Sequence, residues 1–310
     1  MMEANYCLLP GRGVLRLSGA DARTFLQALI TRDLDKLSPG NAVYGALLTP
    51  QGKYLFDFFI VEQRDNLLLE AENARLGDLA KRLNMYRLRA DVQVAVLSDW
   101  EVYAAFGPGT DTALGLADGA AGADAGAAAG FANGIAYQDP RLADAGARII
   151  APAGQGADAL ADAGFKAGEA AVYDYFRLGL ALPDSDADLV VDKSLMLESN
   201  FEELHGVDFD KGCFVGQELT ARTKYRALVR KRLLPVQIDG PLPDPGTPLM
   251  VGEREVASMR SGQNDRGLAL VRLDRLAAAG GLAQSLTAGE AQISVQMPDW
   301  ADFELSSDAK

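Results

Sequence analysis

The sequence predicts an α+β body followed by a small C-terminal β-barrel. Before residue 240, stretches with apolar residues at helical spacing alternate with short β-branched and aromatic runs, which is the mixture of an α+β arrangement. After the proline-dense PLPDPGTP at 241–248, the tail 249–304 carries the alternating runs GLALVRL, AQISVQM and ADFEL, the pattern of barrel strands.

The elements follow in order. VLRLSG (14–19) reads as a strand, and Asp21 is placed to cap a helix through ARTFLQALI with Phe25, Leu26, Leu29 and Ile30 on one face. SPGN (38–41) is a turn. AVYGALLT and KYLFDFFIVE are strands joined through Pro50-Gln51-Gly52, and NLLLEAE adds a third. ARLGDLAKRLNMYRL spaces Leu76, Leu79, Leu83 and Tyr86 as a helix, after which ADVQVAVLS and WEVYAAFG return as strands. Residues 117–130 (ADGAAGADAGAAAG) are almost all alanine and glycine without an apolar face, so they are expected to form a flexible surface insertion. ARIIAP, a helix near 154–164 and a helix through GEAAVYDYFRLGLALP that ends at proline complete the body.

Composition excludes several functions. The 310 residues carry a formal net charge of −13, enough length for more than one structural unit and an acidic surface that repels polyanions. Residues 222–232 (RTKYRALVRKR) are the exception, with six bases and no acid. No segment is apolar for long enough to span a membrane, and MMEANYCLLPGRG lacks the apolar core of a signal peptide. Cys7 and Cys213 are the only cysteines and read as free thiols in a reducing, cytoplasmic setting. One histidine, two cysteines and no Cys-x-x-Cys leave too few soft ligands for a stable zinc or iron–sulfur site. His205, in EELHGVDF, has no nucleophile elbow nearby and reads as a turn residue. No P-loop or dinucleotide fingerprint is present.

One stretch stands apart: DKGCFVGQELTARTKYR, Asp210–Arg226. A lysine two residues before a cysteine, and a helix start after it, both favour the reactive thiolate. Lys211 supplies that ammonium, Gly212 leaves the thiol open, Gly216 permits a close first turn, and Glu218 and Arg222 are spaced to pair along the helix. A buried, unreactive cysteine is the competing reading.

KGCFVGQE followed by Arg222 matches K-G-C-[FY]-x-G-Q-E-x-x-x-R, and on that basis the chain resembles the YgfZ-type folate-binding proteins of the glycine cleavage T-protein (aminomethyltransferase) superfamily. The resemblance extends over roughly 14–100 and 165–235. It departs at Arg32, where the superfamily has Asn between Thr31 and Asp33. It implies a three-part aminomethyltransferase-like fold around a central channel. Residues 1–48 with 140–235 would form a folate-binding domain, 49–139 a ferredoxin-like domain and 236–310 the barrel. It also implies tetrahydrofolate as cofactor and a role in assembling or repairing iron–sulfur enzymes, notably those that thiolate tRNA. A folate-dependent aminomethyl transferase is the alternative.

Carried over by position, Glu198 in LMLESNF is expected to clamp the donor edge of the pterin, and an exposed loop acid is the other reading. Tyr44 and Asp57 match a folate-contacting tyrosine and the catalytic aspartate of the transferase branch. Asp57 alternates with Phe56 and Phe58, so it faces either the channel or solvent. Gln217, Glu218, Arg222 and Arg226 complete the expected folate contacts, the bases toward the glutamyl tail, including polyglutamylated forms. The short basic run, with Tyr225 its only aromatic, argues against direct tRNA binding. Cys213 and Lys211 are the expected chemical pair.

Overall fold

The computed structural model describes residues 4–116, 124–226 and 229–303. The chain divides into two compact units. The first comprises Met1–Pro50, Leu55–Tyr173 and Leu204–Gln217, and the second Gln51–Tyr54, Asp174–Glu203 and Glu218–Lys310. These limits fall elsewhere than the boundaries drawn from sequence after 48, 139 and 235.

The first unit is built on an eleven-stranded sheet. One half runs Lys166–Ala167, Asn5–Leu8, Trp100–Phe106, Ala147–Pro152, Gly134–Gln138 and Gly126–Phe131. The other runs Asn41–Leu48, Tyr54–Gln63, Asn66–Glu72, Arg12–Ser18 and Gln93–Val96. Asn5–Leu8 pairs with Lys166–Ala167 in parallel and with Trp100–Phe106 antiparallel. The hairpins turn through Arg64-Asp65 and Ala132-Asn133, each pair with positive φ, as tight two-residue turns require. Every residue from Tyr54 to Val61 is buried, so this strand is covered on both faces.

Leu76–Arg87 is the helix that its spacing predicted, with Leu76, Leu79 and Leu83 in the core beside Leu15, Leu17, Phe58 and Leu69. The helix after Asp21 is shorter than expected, Ala22–Gln27, and the Asp21 side chain does not cap it. That carboxylate accepts the Asp91 N–H instead, at 2.8 Å.

The alanine-glycine stretch is corrected in part. Residues 117–123 lie outside the described residues, but Gly126–Phe131 is a strand, paired with Gly134–Gln138 and touching Asn41-Ala42. Small side chains carry no alternation signal. Here the sheet neighbours, not local propensity, decide the conformation.

The second unit contains the expected barrel, closed in the order Lys231–Asp239, Arg266–Arg272, Arg254–Gln263, Pro248–Val251, Ser285–Ala288 and Ala291–Val295. Alternate residues such as Leu234, Val236, Ala269, Val271, Ile293 and Val295 fill it. The helix Leu273–Ala279 adds Leu273 and Leu276 to that core.

Candidate functional site

The cysteine motif lies on a segment without helix or strand, 205–216, in the first unit. Hydrogen bonds fix it onto the loop after Ala22–Gln27. The Asp208 carboxylate accepts from the Asp33 N–H at 2.7 Å, from Lys36 Nζ at 2.6 Å and from Arg32 Nη1 at 3.3 Å. The Asp208 N–H donates to the Thr31 carbonyl, and Thr31 Oγ1 donates to the Gly206 carbonyl at 2.7 Å. His205 takes a left-handed φ of 58°, as a turn residue.

Lys211 has a different partner from the one its sequence position suggests. Its buried ammonium donates to the carbonyls of Gln27 (2.7 Å), Ile30 (2.7 Å) and Arg32 (2.8 Å). An ammonium has three N–H donors, and all three are taken. Burial presses its pKa down to about 8, against the pull of Asp33, Asp208 and Asp35. All three donors of Lys211 are thus spent on carbonyls, and none is directed to the Cys213 thiol. Lys211 satisfies carbonyls left open where the helix ends, and so holds down the loop that carries the cysteine.

Cys213 is exposed, whereas Cys7 is buried. That disposes of the packed-cysteine reading. Phe214, like Lys211, is buried. The helix starts later than the motif suggested, spanning Gln217–Tyr225, so Cys213 stands a full turn of chain before it. Gly216 makes the entry with φ 84°, a conformation that side chains other than glycine's resist.

Tyr44 and Asp57 come together on neighbouring strands: the Tyr44 hydroxyl donates to Asp57 Oδ2 at 2.9 Å, and both are buried. Asp57 does not face solvent, which corrects one of its two readings. The Arg141 guanidinium lies 5.4 Å from the centroid of the Tyr44 ring.

Arg141 belongs to a buried ionic network that the sequence reading missed. Arg148 Nη1 donates to Glu70 at 2.6 Å and Arg12 Nε to the same oxygen at 3.0 Å, while the Tyr137 hydroxyl donates to the other. Asp139 holds Arg141 through two bonds of 3.0 and 2.8 Å. Arg141 and Arg148 both stack on Phe59, at 4.9 and 4.3 Å. The available signal was a charge inside an apolar strand, Glu70 in NLLLEAE and Arg148 in ARIIAP.

Glu198 lies in the second unit, on the short 3-10 turn Met196–Ser199. It is half-buried and lines a cavity of about 180 Å³ with Lys193, Ser194, Lys231 and Arg260. Burial raises its pKa, and Lys231, Lys53, Arg260 and Arg272 pull it back. A carboxylate facing several bases can accept a donor edge while the bases take an adjacent acceptor. This volume is below the roughly 300–1,000 Å³ of sites that hold a whole drug-sized ligand, so it suits one ring system. A second cavity of about 310 Å³ shares Leu195 with it and is lined by Lys53, Leu197, Leu219, Thr220 and Thr223.

The remaining candidates sit on the helix. Glu218, Arg222 and Arg226 are exposed, and among the described residues Glu218 and Arg222 form no ion pair, contrary to their spacing. Lys224 pairs with Glu202 instead. Arg232, counted in the basic run, is buried against Glu203 at 2.7 Å and is not available to an anion. Gln217 is the first helical residue. Arg32, the departure from the superfamily pattern, bridges Asp124 and Asp208 and leaves its buried Nε without a hydrogen-bond partner.

Residues 12–130 match the GCVT N-terminal domain, and residues 230–303 the CAF17 C-terminal beta-barrel domain. The chain is 34% identical to the human protein named iron-sulfur cluster assembly factor IBA57, mitochondrial, over 94% of this chain and 84% of the relative. Its Mus musculus counterpart is 32% identical with the same coverage. Among solved structures, the glycine cleavage system aminomethyltransferase T of Bartonella henselae superposes with a TM-score of 0.74, covering 96% of this chain and 86% of that one. At 17% identity that likeness shows the T-protein-like fold alone. The relatives are named as mitochondrial, which overturns the cytoplasmic expectation. Free thiols indicate a reducing compartment without distinguishing one from another. The chain belongs to the IBA57/CAF17 family of iron–sulfur cluster assembly factors, within the glycine cleavage T-protein-like superfamily.

Proposed function

We propose that this protein is an iron–sulfur cluster assembly factor that binds tetrahydrofolate and uses the Cys213 thiol on its client proteins, tRNA-thiolating enzymes among them. The observation that carries the assembly role is the 34% identity, over nearly the whole chain, to a human protein of that name. The Lys-Gly-Cys signature supports a YgfZ-type branch, since the aminomethyl-transferring branch lacks it. Support for folate comes from Glu198, whose carboxylate lines a ring-sized cavity beside Lys231 and Arg260, and from the Tyr44–Asp57 pair. An exposed thiol on a loop held by Lys211 and Asp208 is accessible to a partner.

The test separates binding from chemistry. Glu198→Ala should weaken tetrahydrofolate binding by about tenfold or more, the cost of losing a charged acceptor for a buried donor edge. Cys213→Ser should bind folate as the parent does and fail to restore iron–sulfur enzyme activity in a deletion strain. Unchanged calorimetric affinity for Glu198→Ala would remove that residue from the site. Full rescue by Cys213→Ser would show that the thiol has no part in the function.

A further inference from the structure

The second half of the helix Leu76–Arg87 and the residues after it form a feature that the folate and cysteine chemistry leaves unused. Leu88 and Met85 are the two most exposed large apolar side chains among the described residues, at 90% and 71%. Lys81, Met85 and Leu88 follow one another at four- and three-residue steps along the outer face, opposite Leu76, Leu79 and Leu83 in the core. The nine residues 81–89, KRLNMYRLR, hold four bases and no acid, on a chain of net charge −13. Arg87 is partly used, donating to the Val92 carbonyl at 3.0 Å. Lys81, Arg82 and Arg89 form no ion pair among the described residues, and the nearest acids along the chain are Asp78 and Asp91. Leu88 also holds φ 46° and ψ −104°, a conformation that is an outlier for a bulky side chain. An exposed leucine in a strained backbone has no folding advantage to explain it, and such outliers collect where a segment has another task.

We propose that this tip is a membrane-surface contact, in which Leu88 and Met85 enter the headgroup region of an anionic bilayer and Lys81, Arg82 and Arg89 meet lipid phosphates. The features favour lipid over an acidic protein. The apolar groups project from a helix end instead of lining a groove, and a protein partner would need a matching hollow where a bilayer accepts any projecting aliphatic tip. The excluded membrane-spanning segment is not required, because the contact lies on the surface. The acidic remainder of the molecule does not forbid it, since charges are screened beyond about 8–10 Å at physiological salt.

Sedimentation of the full chain with phosphatidylcholine vesicles, with and without phosphatidylglycerol, tests the proposal. The protein should pellet with the anionic vesicles only, and less as salt is added. Lys81→Gln with Arg82→Gln and Arg89→Gln should reduce partitioning on the order of a hundredfold, given about fivefold per base near such a surface. Leu88→Gly should raise the melting temperature by relieving the backbone while weakening vesicle binding, a combination that a structural role would not produce. No pelleting with anionic vesicles overturns the proposal. So does vesicle binding that survives the tip substitutions and is lost on Arg222→Gln with Arg226→Gln. Binding of soluble polyglutamate through the tip, without vesicle binding, overturns the lipid assignment in favour of an acidic protein surface.

Discussion

At the scale of single residues, the cysteine motif separates into an exposed thiol, Cys213, and an anchoring lysine, Lys211. Cys213 is open and Cys7 is enclosed, so a small alkylating reagent should modify Cys213 rapidly in the folded protein and Cys7 only after denaturation. Mass spectrometry of the two tryptic peptides reads this directly, and equal rates in the native state would contradict the burial of Cys7. Lys211→Met leaves three carbonyls without their donor. It should lower stability by about 1.5–3 kcal/mol, the usual worth of a hydrogen bond to a charged group, and raise hydrogen exchange selectively across 206–216. Because the ammonium is occupied by carbonyls, the same substitution should leave the alkylation rate of Cys213 little changed. A large fall in that rate would restore the direct partnership that the sequence spacing suggested.

At the scale of elements, an ion-pair junction links three chain segments. Arg32 and Lys36 both bind Asp124, at 2.9 and 2.7 Å, and both bind Asp208. Burial would raise the Asp124 carboxyl, but the Lys36 hydrogen bond and the Arg32 charge outweigh it and bring the pKa to about 2, from an ordinary 3.8. A carboxyl depressed in the folded state contributes stability that is complete above its unfolded pKa and is lost as pH falls through the folded one. The melting-temperature advantage of the parent over Asp124→Asn should therefore be full at pH 5, fall as the pH drops through about 2, and be gone by about pH 1. An advantage independent of pH would show that the junction holds by shape alone.

The same elements show what was legible in the sequence. The helix at 76–87 and the barrel strands could be read because their apolar spacing survives in one dimension. The strand Gly126–Phe131 could not, since alanine and glycine fit any pattern and only its partners define it. Tyr44 and Asp57 were picked out by resemblance, and their mutual contact was not read although one hairpin makes it local. Glu70 with Arg148, 78 residues apart, was not read either. Lys211 was misread for the same reason: its neighbour in sequence is Cys213, and its neighbours in space are carbonyls near residue 30.

For the whole molecule, charge and topology are the governing quantities. Against a net charge of −13, the exposed bases Arg222, Arg226 and Arg230 remain available from the basic run after Lys224 and Arg232 are paired. Under the proposed folate binding, affinity should rise with each added glutamate at low salt, and the gain should fade as ionic strength shortens the screening length. Neutralising Arg226 with Arg230 should flatten the trend. Equal affinities for mono- and polyglutamates at low salt would assign the run to something else.

The order of strands in the large sheet carries a further consequence. Its two borders are Lys166–Ala167, two residues long with a lysine, and Gln93–Val96, four residues long. Such stubs offer an incoming chain almost no row of open backbone groups to template against. The barrel, being closed, offers none. A protein rich in β-structure is in this way protected from fibril growth by strand addition, and lengthening either border strand by design would remove that protection.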